Sequence, residues 1–366
     1  GSGSLTLNGS NTYTGITSLS AGTLRVGNNN ALGTGVLNTS NGTSLDSTGN
    51  VTLGNNVGIT GALNVLGSNA LTLGGIVSGT GAITKSGTAS LTLTGNNTNS
   101  GTTALNGGTL FVGSNTALGT GALNAAAGTT LDATTAVTLA NAVALAGGLT
   151  IGGTQALGLS GVISGAGNLI KGGTANLTLS GNNTFSGGTA LNAGTLIVGS
   201  NTALGTGALT TAAGTTLDAS TTVALSNAVA LGGNLNIAGN ANLTLGGVVS
   251  GSGGLTKNGA ANLILNGANT FLGAVALNAG TITAGANAAL GSGDITVGGA
   301  ATLDSNTAVT LNNNVILNNN LGIGGSNALT LGGVISGASQ LIKNGTANLT
   351  LNGANTFTGG TALNAG

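Results

Sequence analysis

Residues 176–196 read NLTLSGNNTFSGGTALNAGTL, and this phrase recurs along the chain at a fixed step of 86 residues. Its asparagine keeps the step at Asn11, Asn97, Asn183, Asn269 and Asn355. Self-similarity at a fixed period is the sequence signature of repeat architectures. We therefore predict one continuous domain over residues 1–366, with repeat units 5–90, 91–176, 177–262 and 263–348 and a partial unit 349–366.

Short apolar-polar alternation fills each unit, as in LTL, VTL and AITK. Period-two runs between Gly and Asn are typical of short strands with one buried face. Triplets that begin at Val51, Leu71 and Leu91 are 20 residues apart, which indicates coils of about 20–23 residues and about four coils per unit. The pattern predicts an all-β parallel β-helix, a solenoid with Leu, Val and Ile inside and Thr, Ser and Asn outside.

The corners of such coils often need a positive φ, so we expect Gly and Asn to occupy them for their tolerance of that conformation. At a strand spacing of about 4.8 Å, about 17 coils would form a rod about 80 Å long. Pro is absent from the chain. This is expected when almost every backbone N–H is needed by a neighbouring coil.

Composition excludes several classes of protein. Only 3% of the 366 residues are charged, the net charge is zero, and aromatic residues make up 1%, so we expect no nucleic-acid binding. The sequence has no run of 18 apolar residues, and we expect no direct membrane insertion of this segment. With no Cys and no His, disulfides, thiolate metal sites and imidazole chemistry are excluded, and we predict no metal and no cofactor.

The stretch from Leu255 to Gly285 resembles the passenger-associated β-strand repeat of bacterial autotransporters. The matching positions are Lys257, Gly259, Leu263, Leu265, Gly267, Asn269, Phe271, Gly273, Gly280 and Thr281. Further copies begin near Ile83, Leu169 and Leu341. The resemblance implies a right-handed β-helix that a Gram-negative bacterium secretes through its outer membrane and displays on its surface or releases.

Charged residues occur about once per unit. The lysines are Lys85, Lys171, Lys257 and Lys343, and the aspartates are Asp46, Asp132, Asp218 and Asp304. Copies about four coils, or about 19 Å, apart are too distant to act together, because the Debye length is about 8 Å. We therefore predict no enzyme activity, outward solvated lysines, and aspartates that are turn or capping residues and bond nearby N–H groups. Arg25 and Asp294 lie outside this register, and we assign them no role.

One aromatic residue per unit follows the repeat asparagine, at Tyr13, Phe185, Phe271 and Phe357, with Asn99 in the second copy. We predict a core or corner plug at this position. Asn99 then leaves two alternatives open, a weak coil or an outward and dispensable side chain.

A solenoid with contacts only between neighbouring coils is suited to spanning distance. We predict a structural, non-catalytic stem of a cell-surface autotransporter-type adhesin that presents a distal adhesive region to an unknown host or surface receptor. The alternative is a segment of a self-assembling extracellular filament, with end-to-end or lateral self-association, since unpaired strand edges are templates for pairing. A minor alternative is an ice-binding surface made of outward Thr residues.

Overall fold

The computed structural model describes residues 1–366, which form strands, turns and bends and no helix. The contacts group into two units, residues 1–187 and 188–366. Since the chain contains no helix, no helix of it is long and apolar enough to cross a membrane. The all-β solenoid class predicted from the sequence is confirmed, while the right-handed coiling of the β-helix and the single continuous domain stay predictions.

The first unit contains strands β1 Ser4–Leu7, β2 Thr17–Leu19, β3 Thr23–Val26, β4 Leu37–Thr39, β5 Thr43–Ser47, β6 Val51–Leu53, β7 Val57–Ile59, β8 Leu63–Val65, β9 Leu71–Leu73, β10 Val77–Gly79, β11 Ile83–Lys85, β12 Leu91–Leu93, β13 Thr103–Leu105, β14 Thr109–Val112, β15 Leu123–Ala125, β16 Thr129–Ala133, β17 Val137–Leu139, β18 Val143–Leu145, β19 Leu149–Ile151, β20 Leu157–Leu159, β21 Ile163–Gly165, β22 Leu169–Lys171 and β23 Leu177–Leu179. Within this unit, ladder A consists of β1, β3, β5, β8, β11, β13, β15, β18 and β21, and ladder B of β6, β9, β12, β14, β16, β19 and β22. The strands β2, β4, β7 and β10 form another ladder, as do β17, β20 and β23.

The second unit contains strands β24 Thr189–Leu191, β25 Thr195–Val198, β26 Leu209–Thr211, β27 Thr216–Ala219, β28 Val223–Leu225, β29 Val229–Leu231, β30 Leu235–Ile237, β31 Leu243–Leu245, β32 Val249–Gly251, β33 Leu255–Lys257, β34 Asn262–Leu265, β35 Val275–Leu277, β36 Gly280–Ala284, β37 Ile295–Val297, β38 Ala301–Ser305, β39 Val309–Leu311, β40 Val315–Leu317, β41 Leu321–Ile323, β42 Leu329–Leu331, β43 Ile335–Gly337, β44 Leu341–Lys343, β45 Leu349–Leu351 and β46 Thr361–Leu363. Here ladder C consists of β25, β27, β30, β33, β35, β37, β40 and β43, and ladder D of β28, β31, β34, β36, β38, β41, β44 and β46. The other two ladders are β24, β26, β29 and β32, and β39, β42 and β45.

The strands pair in parallel, and the inward side chains stack in columns. In ladder A, Leu24 lies opposite Leu45, which lies opposite Val65. Strands such as β12 alternate buried, partly exposed and buried residues, as the LTL pattern predicts. Burial of a Leu or Val side chain contributes about 1.5–3 kcal/mol, so these columns supply most of the stabilisation.

The backbone conformation at the corners differs in one respect from the sequence prediction, which expected both Gly and Asn to adopt a positive φ. Every residue with a positive φ is a glycine, and no asparagine adopts that conformation. The predicted role of Asn in tolerating positive φ is therefore wrong, and its side chain turns out to have another role. Gly67, with a φ of 70°, is one example of a corner that needs glycine.

The repeat and the coil have different lengths. From Lys85, four steps along ladder A pass Leu105, Ala125 and Leu145 and end at Gly165. The next repeat lysine, Lys171, lies six residues beyond Gly165 on β22, in ladder B. One repeat therefore spans about four and a third coils, whereas the sequence predicts about four.

Candidate functional site: the polar corners of the repeat

The repeat lysines lie in the core, so the prediction that they point into solvent is wrong. All four are buried: Lys85, Lys171, Lys257 and Lys343. Lys85 occupies the inward column of ladder A between Val65 and Leu105. The physical reason is the alternation of the strand, because Ile83 and Lys85 are two residues apart and share the inward face.

Each lysine ammonium is held by backbone carbonyl groups at the corner that follows its strand. Lys85 Nζ donates to the carbonyl of Gly87 in its own coil and to that of Gly107 in the next coil, the latter at 3.1 Å. In the second unit, Lys257 Nζ likewise donates to Gly259 O and, at 3.4 Å, to Ala279 O. The lysine therefore fastens two successive corners to each other.

Burial has an electrostatic cost at these positions. It lowers the pKa of Lys85 and of Lys257 below the ordinary value of 10.5, because the charged form loses its hydration. Burial also lowers the pKa of Lys171, while the negative charge of Asp132 acts in the opposite direction.

The aspartates lie on strands β5, β16, β27 and β38, so the prediction that they are turn residues is wrong. Each of them accepts bonds from N–H groups of a corner, as predicted. Asp46 Oδ1 accepts a bond from the backbone N–H of Ser68 at 3.2 Å, and its Oδ2 accepts the Ser68 hydroxyl at 2.9 Å. Asp304 accepts the same two bonds from Ser326, at 3.0 and 2.6 Å. At the other two copies, Asp132 accepts the N–H and hydroxyl of Thr154, and Asp218 the N–H and side-chain amide of Asn240.

An aspartate and a lysine lie on opposite sides of the same corner. Asp46 lies on β5 and Lys85 on β11, with β8 between them in ladder A. The corner after β8 contains Gly67 and Ser68; Ser68 bonds Asp46, and a Cβ on Gly67 would lie 3.0 Å from Lys85 Nζ. The acid thus binds donors of this corner, while the base lies close against its other side and binds acceptors of the next two.

The repeat asparagines join coils where the strands are interrupted. Asn97 lies in the strand-free segment 95–101. Its Oδ1 accepts the N–H of Val77, 20 residues earlier, at 2.7 Å, and its Nδ2 donates to Ala117 O, 20 residues later, at 2.6 Å. Asn269 makes the equivalent pair of bonds at 2.7 and 2.6 Å. The side chain therefore replaces the ladder bonds that an interrupted strand cannot make.

Two further asparagine series serve the same purpose and were not singled out as sites from the sequence. The Nδ2 group of Asn55 donates to Gly33 O at 3.1 Å and Gly35 O at 2.7 Å; its copies are Asn141, Asn227 and Asn313. The Oδ1 of Asn29, in the NxALGxG phrase, accepts the N–H of Thr52 at 2.8 Å; its copies are Asn115, Asn201 and Asn287. Both series recur at the 86-residue step, and this recurrence could have identified them from the sequence.

The aromatic position is inside the solenoid. Phe185 and Phe271 are fully buried, which confirms the predicted plug for these copies, whereas Tyr13, near the start of the chain, is 40% exposed. Phe357 is half-buried. Asn99 is 1% exposed and its Oδ1 has no hydrogen-bond partner. The outward, dispensable side chain is therefore wrong, and the weak coil stays a prediction.

Arg25 and Asp294, to which the sequence assigned no role, both have partners. The Arg25 guanidinium lies 3.4 Å from the buried carboxylate of Asp46, its direct neighbour in ladder A. Asp294 accepts a bond from the side chain of Asn314 at 3.1 Å. In the other repeats, the residues equivalent to Arg25 are apolar or neutral and cannot form this ion pair. Phe111, for example, lies opposite Asp132.

No group of three or more His, Cys, Asp or Glu side chains lies close enough to hold a metal ion. The repeat lysines and aspartates bind backbone and side-chain groups of the corners, and this arrangement can hold coils together and fix their spacing.

A search of curated proteins and a search of solved structures found no match. The family model of the passenger-associated-transport-repeat matches five segments, residues 1–26, 83–112, 169–198, 255–284 and 341–366. The repeat lysines, the Asn97 series and the aromatic series lie inside these segments, and the aspartates lie outside them. The chain is therefore similar to the passenger-associated-transport-repeat in five segments, as the resemblance predicted, and its repeats and solenoid fold fit an autotransporter passenger domain.

Proposed function

We propose that the chain is a structural, non-catalytic stem in the passenger of an autotransporter-type adhesin, which holds a distal adhesive region away from the outer membrane. The observation that carries the proposal is the role of the repeated polar residues. Each repeat lysine, aspartate and asparagine binds the corner of its own or an adjacent coil. The repeat thus encodes contacts between coils.

The contacts are local along the axis of stacking. The corner bonds of Asp46 and Lys85 to other coils span 22 residues, and those of Asn97 span 20. A new coil therefore needs only the coil before it as a template, and stability grows with each added coil. Such a chain can fold progressively as it emerges from a secretion pore, which agrees with the cell-surface secretion that the repeat family implies.

Surface display of the chain tests the proposal. The 366-residue segment is placed between an N-terminal epitope and a C-terminal autotransporter barrel in a Gram-negative host. We expect antibody to reach the epitope on intact cells, and added protease to leave the segment intact. Failure of display, or rapid cleavage throughout the segment, would contradict a stem.

The purified segment separates the stem from its alternatives. We expect discrete particles in negative-stain images and no saturable binding to host cells. Long fibres of constant width would instead support the filament, and saturable cell binding would assign adhesion to this segment itself. The ice-binding alternative is not proposed, since the outward row of Thr52, Thr72 and Thr92 ends at Phe111 in the next coil.

A further inference from the structure

The third of a coil in each repeat moves equivalent residues to a different ladder. In the second unit, four steps along ladder C lead from Lys257 to Gly337. The next repeat lysine, Lys343, follows six residues later on β44, in ladder D. The first unit shows the same change, from ladder A at Lys85 to ladder B at Lys171.

We propose that the 86-residue repeat is an exchangeable unit that sets the face on which later residues are displayed. Loss or gain of one repeat preserves every type of corner contact, and it moves all residues beyond the junction to the neighbouring ladder. The inference about register stands on the ladders alone, whereas its consequence for display rests on the proposed stem.

The corner contacts explain why a whole repeat can be exchanged. Lys343 bonds Gly345 and Ala365, both of which follow it in the chain, so these bonds move with it. Its neighbour Gly325 has an equivalent in Gly239, which lies beside Lys257; a Cβ on Gly239 or Gly325 would lie 2.8 or 3.0 Å from the respective Nζ. A junction from Thr256 to Lys343 therefore presents Lys343 with the corner that Lys257 had.

The exposed apolar residues show what the rotation does to the surface. Each repeat leaves one β-branched residue exposed directly before a strand, at Ile76, Val162, Val248 and Val334. Ile76 precedes β10, and Val162 precedes β21 in ladder A, so these two copies are on different ladders. A repeat of four whole coils would align them on one ladder, and aligned apolar residues promote lateral association.

Cysteine cross-linking tests the rotation, since the chain has no other thiol. In the full chain, Thr256 lies in ladder C between Asn236 and Ala276, whereas Ala362 lies in ladder D opposite Ile342. Deletion of residues 257–342 places Ala362 in the position of Ala276, next to Thr256. The T256C/A362C pair should then form a disulfide or react with a short bifunctional thiol reagent, because ladder neighbours are about 4.8 Å apart.

A deletion of four whole coils is the matched control. Removal of residues 261–340 keeps later residues on their original ladder, so position 356 follows Thr256 in the column. This chain should cross-link through T256C/T356C and not through T256C/A362C, and the full chain through neither pair.

The outcomes decide the proposal in either direction. The proposal is supported if the chain that lacks residues 257–342 folds and cross-links through positions 256 and 362 at least tenfold faster than the full chain. An 86-residue deletion that loses its far-UV β signal, or that links 256 to 356, overturns it. Equal rates through 256 and 362 in the two deletions also overturn it. None of these results depends on adhesion or display, so the proposed stem can fail separately.

Discussion

Replacement of Asn99 by phenylalanine should stabilise the first unit. Asn99 is buried and its Oδ1 is unpartnered, while its Nδ2 makes one long bond, 3.4 Å, to Gly101 O. An unsatisfied buried polar atom costs about 1–3 kcal/mol. In the second unit the same position holds Phe271, fully buried against Gly291, where a Cβ would lie 2.8 Å from the ring. The equivalent glycine, Gly119, is present beside Asn99.

The change in the free energy of unfolding has four contributions. Removal of the unpartnered amide gains about 1–3 kcal/mol, and burial of a phenyl ring gains about 1.5–3 kcal/mol. Loss of the long amide bond costs about 0.5 kcal/mol, and expansion of the site costs about 1 kcal/mol or more. The expected net gain is about 1–4 kcal/mol, and the reverse change Phe271→Asn should cost a similar amount or more.

Hydrogen–deuterium exchange of the backbone amides is the suitable assay, because a solenoid can open locally and a single unfolding midpoint would average over its coils. Protection of residues 95–121 should rise by about one to three orders of magnitude in N99F, while protection of distant coils stays unchanged. Protection of residues 267–293 should fall in F271N. If F271N behaves as expected while N99F lowers protection around residue 99, the site is closed to a ring and the reasoning about an empty plug position is refuted.

Three other substitutions test the corners and columns. Lys257→Met leaves two corner carbonyls without their donor and should destabilise the chain by about 1–3 kcal/mol. Burial lowers the folded-state pKa of Lys257 below 10.5, so between the folded and unfolded pKa values the unfolded chain binds more protons and wild-type stability should rise with pH. Denaturant titrations at pH 8 and pH 10.5 should therefore show a larger cost of K257M at the higher pH. Thr103→Val should stabilise by about 1 kcal/mol in the same titration, since the buried Thr103 hydroxyl has no partner and Val275 fills the equivalent position two repeats later; an unchanged midpoint would mean that the hydroxyl is satisfied in solution. Ile197→Arg should create an ion pair with Asp218, its ladder neighbour, worth about 0.5–1 kcal/mol and lost in 1 M salt; a gain that persists in salt would assign the effect to packing.

The sequence predicts the columns well because apolar alternation and a fixed step both report on them. It places Leu91 and Leu93 inside with Thr92 between them, as the strand shows. The same alternation puts Lys85 on the inward face with Ile83. We predicted an outward lysine instead, because charged side chains usually face water. That rule fails when backbone carbonyls at a corner offer an ammonium group enough partners, and carbonyl positions cannot be inferred from side-chain pattern.

The number of coils per repeat could not be fixed from the sequence for a different reason. Coils slightly longer than those observed would divide the repeat into four whole turns, whereas the observed coils leave a remainder. Spacings between apolar triplets allowed both lengths. Only the register from Lys85 to Gly165 distinguishes them.

The buried lysine becomes understandable once the corner is treated as a set of unpaired backbone groups. A parallel ladder ends where its strand ends, and the carbonyl and N–H groups beyond it still need partners. A lysine at the last position of β11 extends the apolar column with its methylene groups and then supplies three donors on a flexible stem. The carboxylate of Asp46, two strands earlier in the same ladder, supplies acceptors to the corner between them. Neither residue alone satisfies both kinds of group, which explains why a chain with so few charges carries one of each in every repeat.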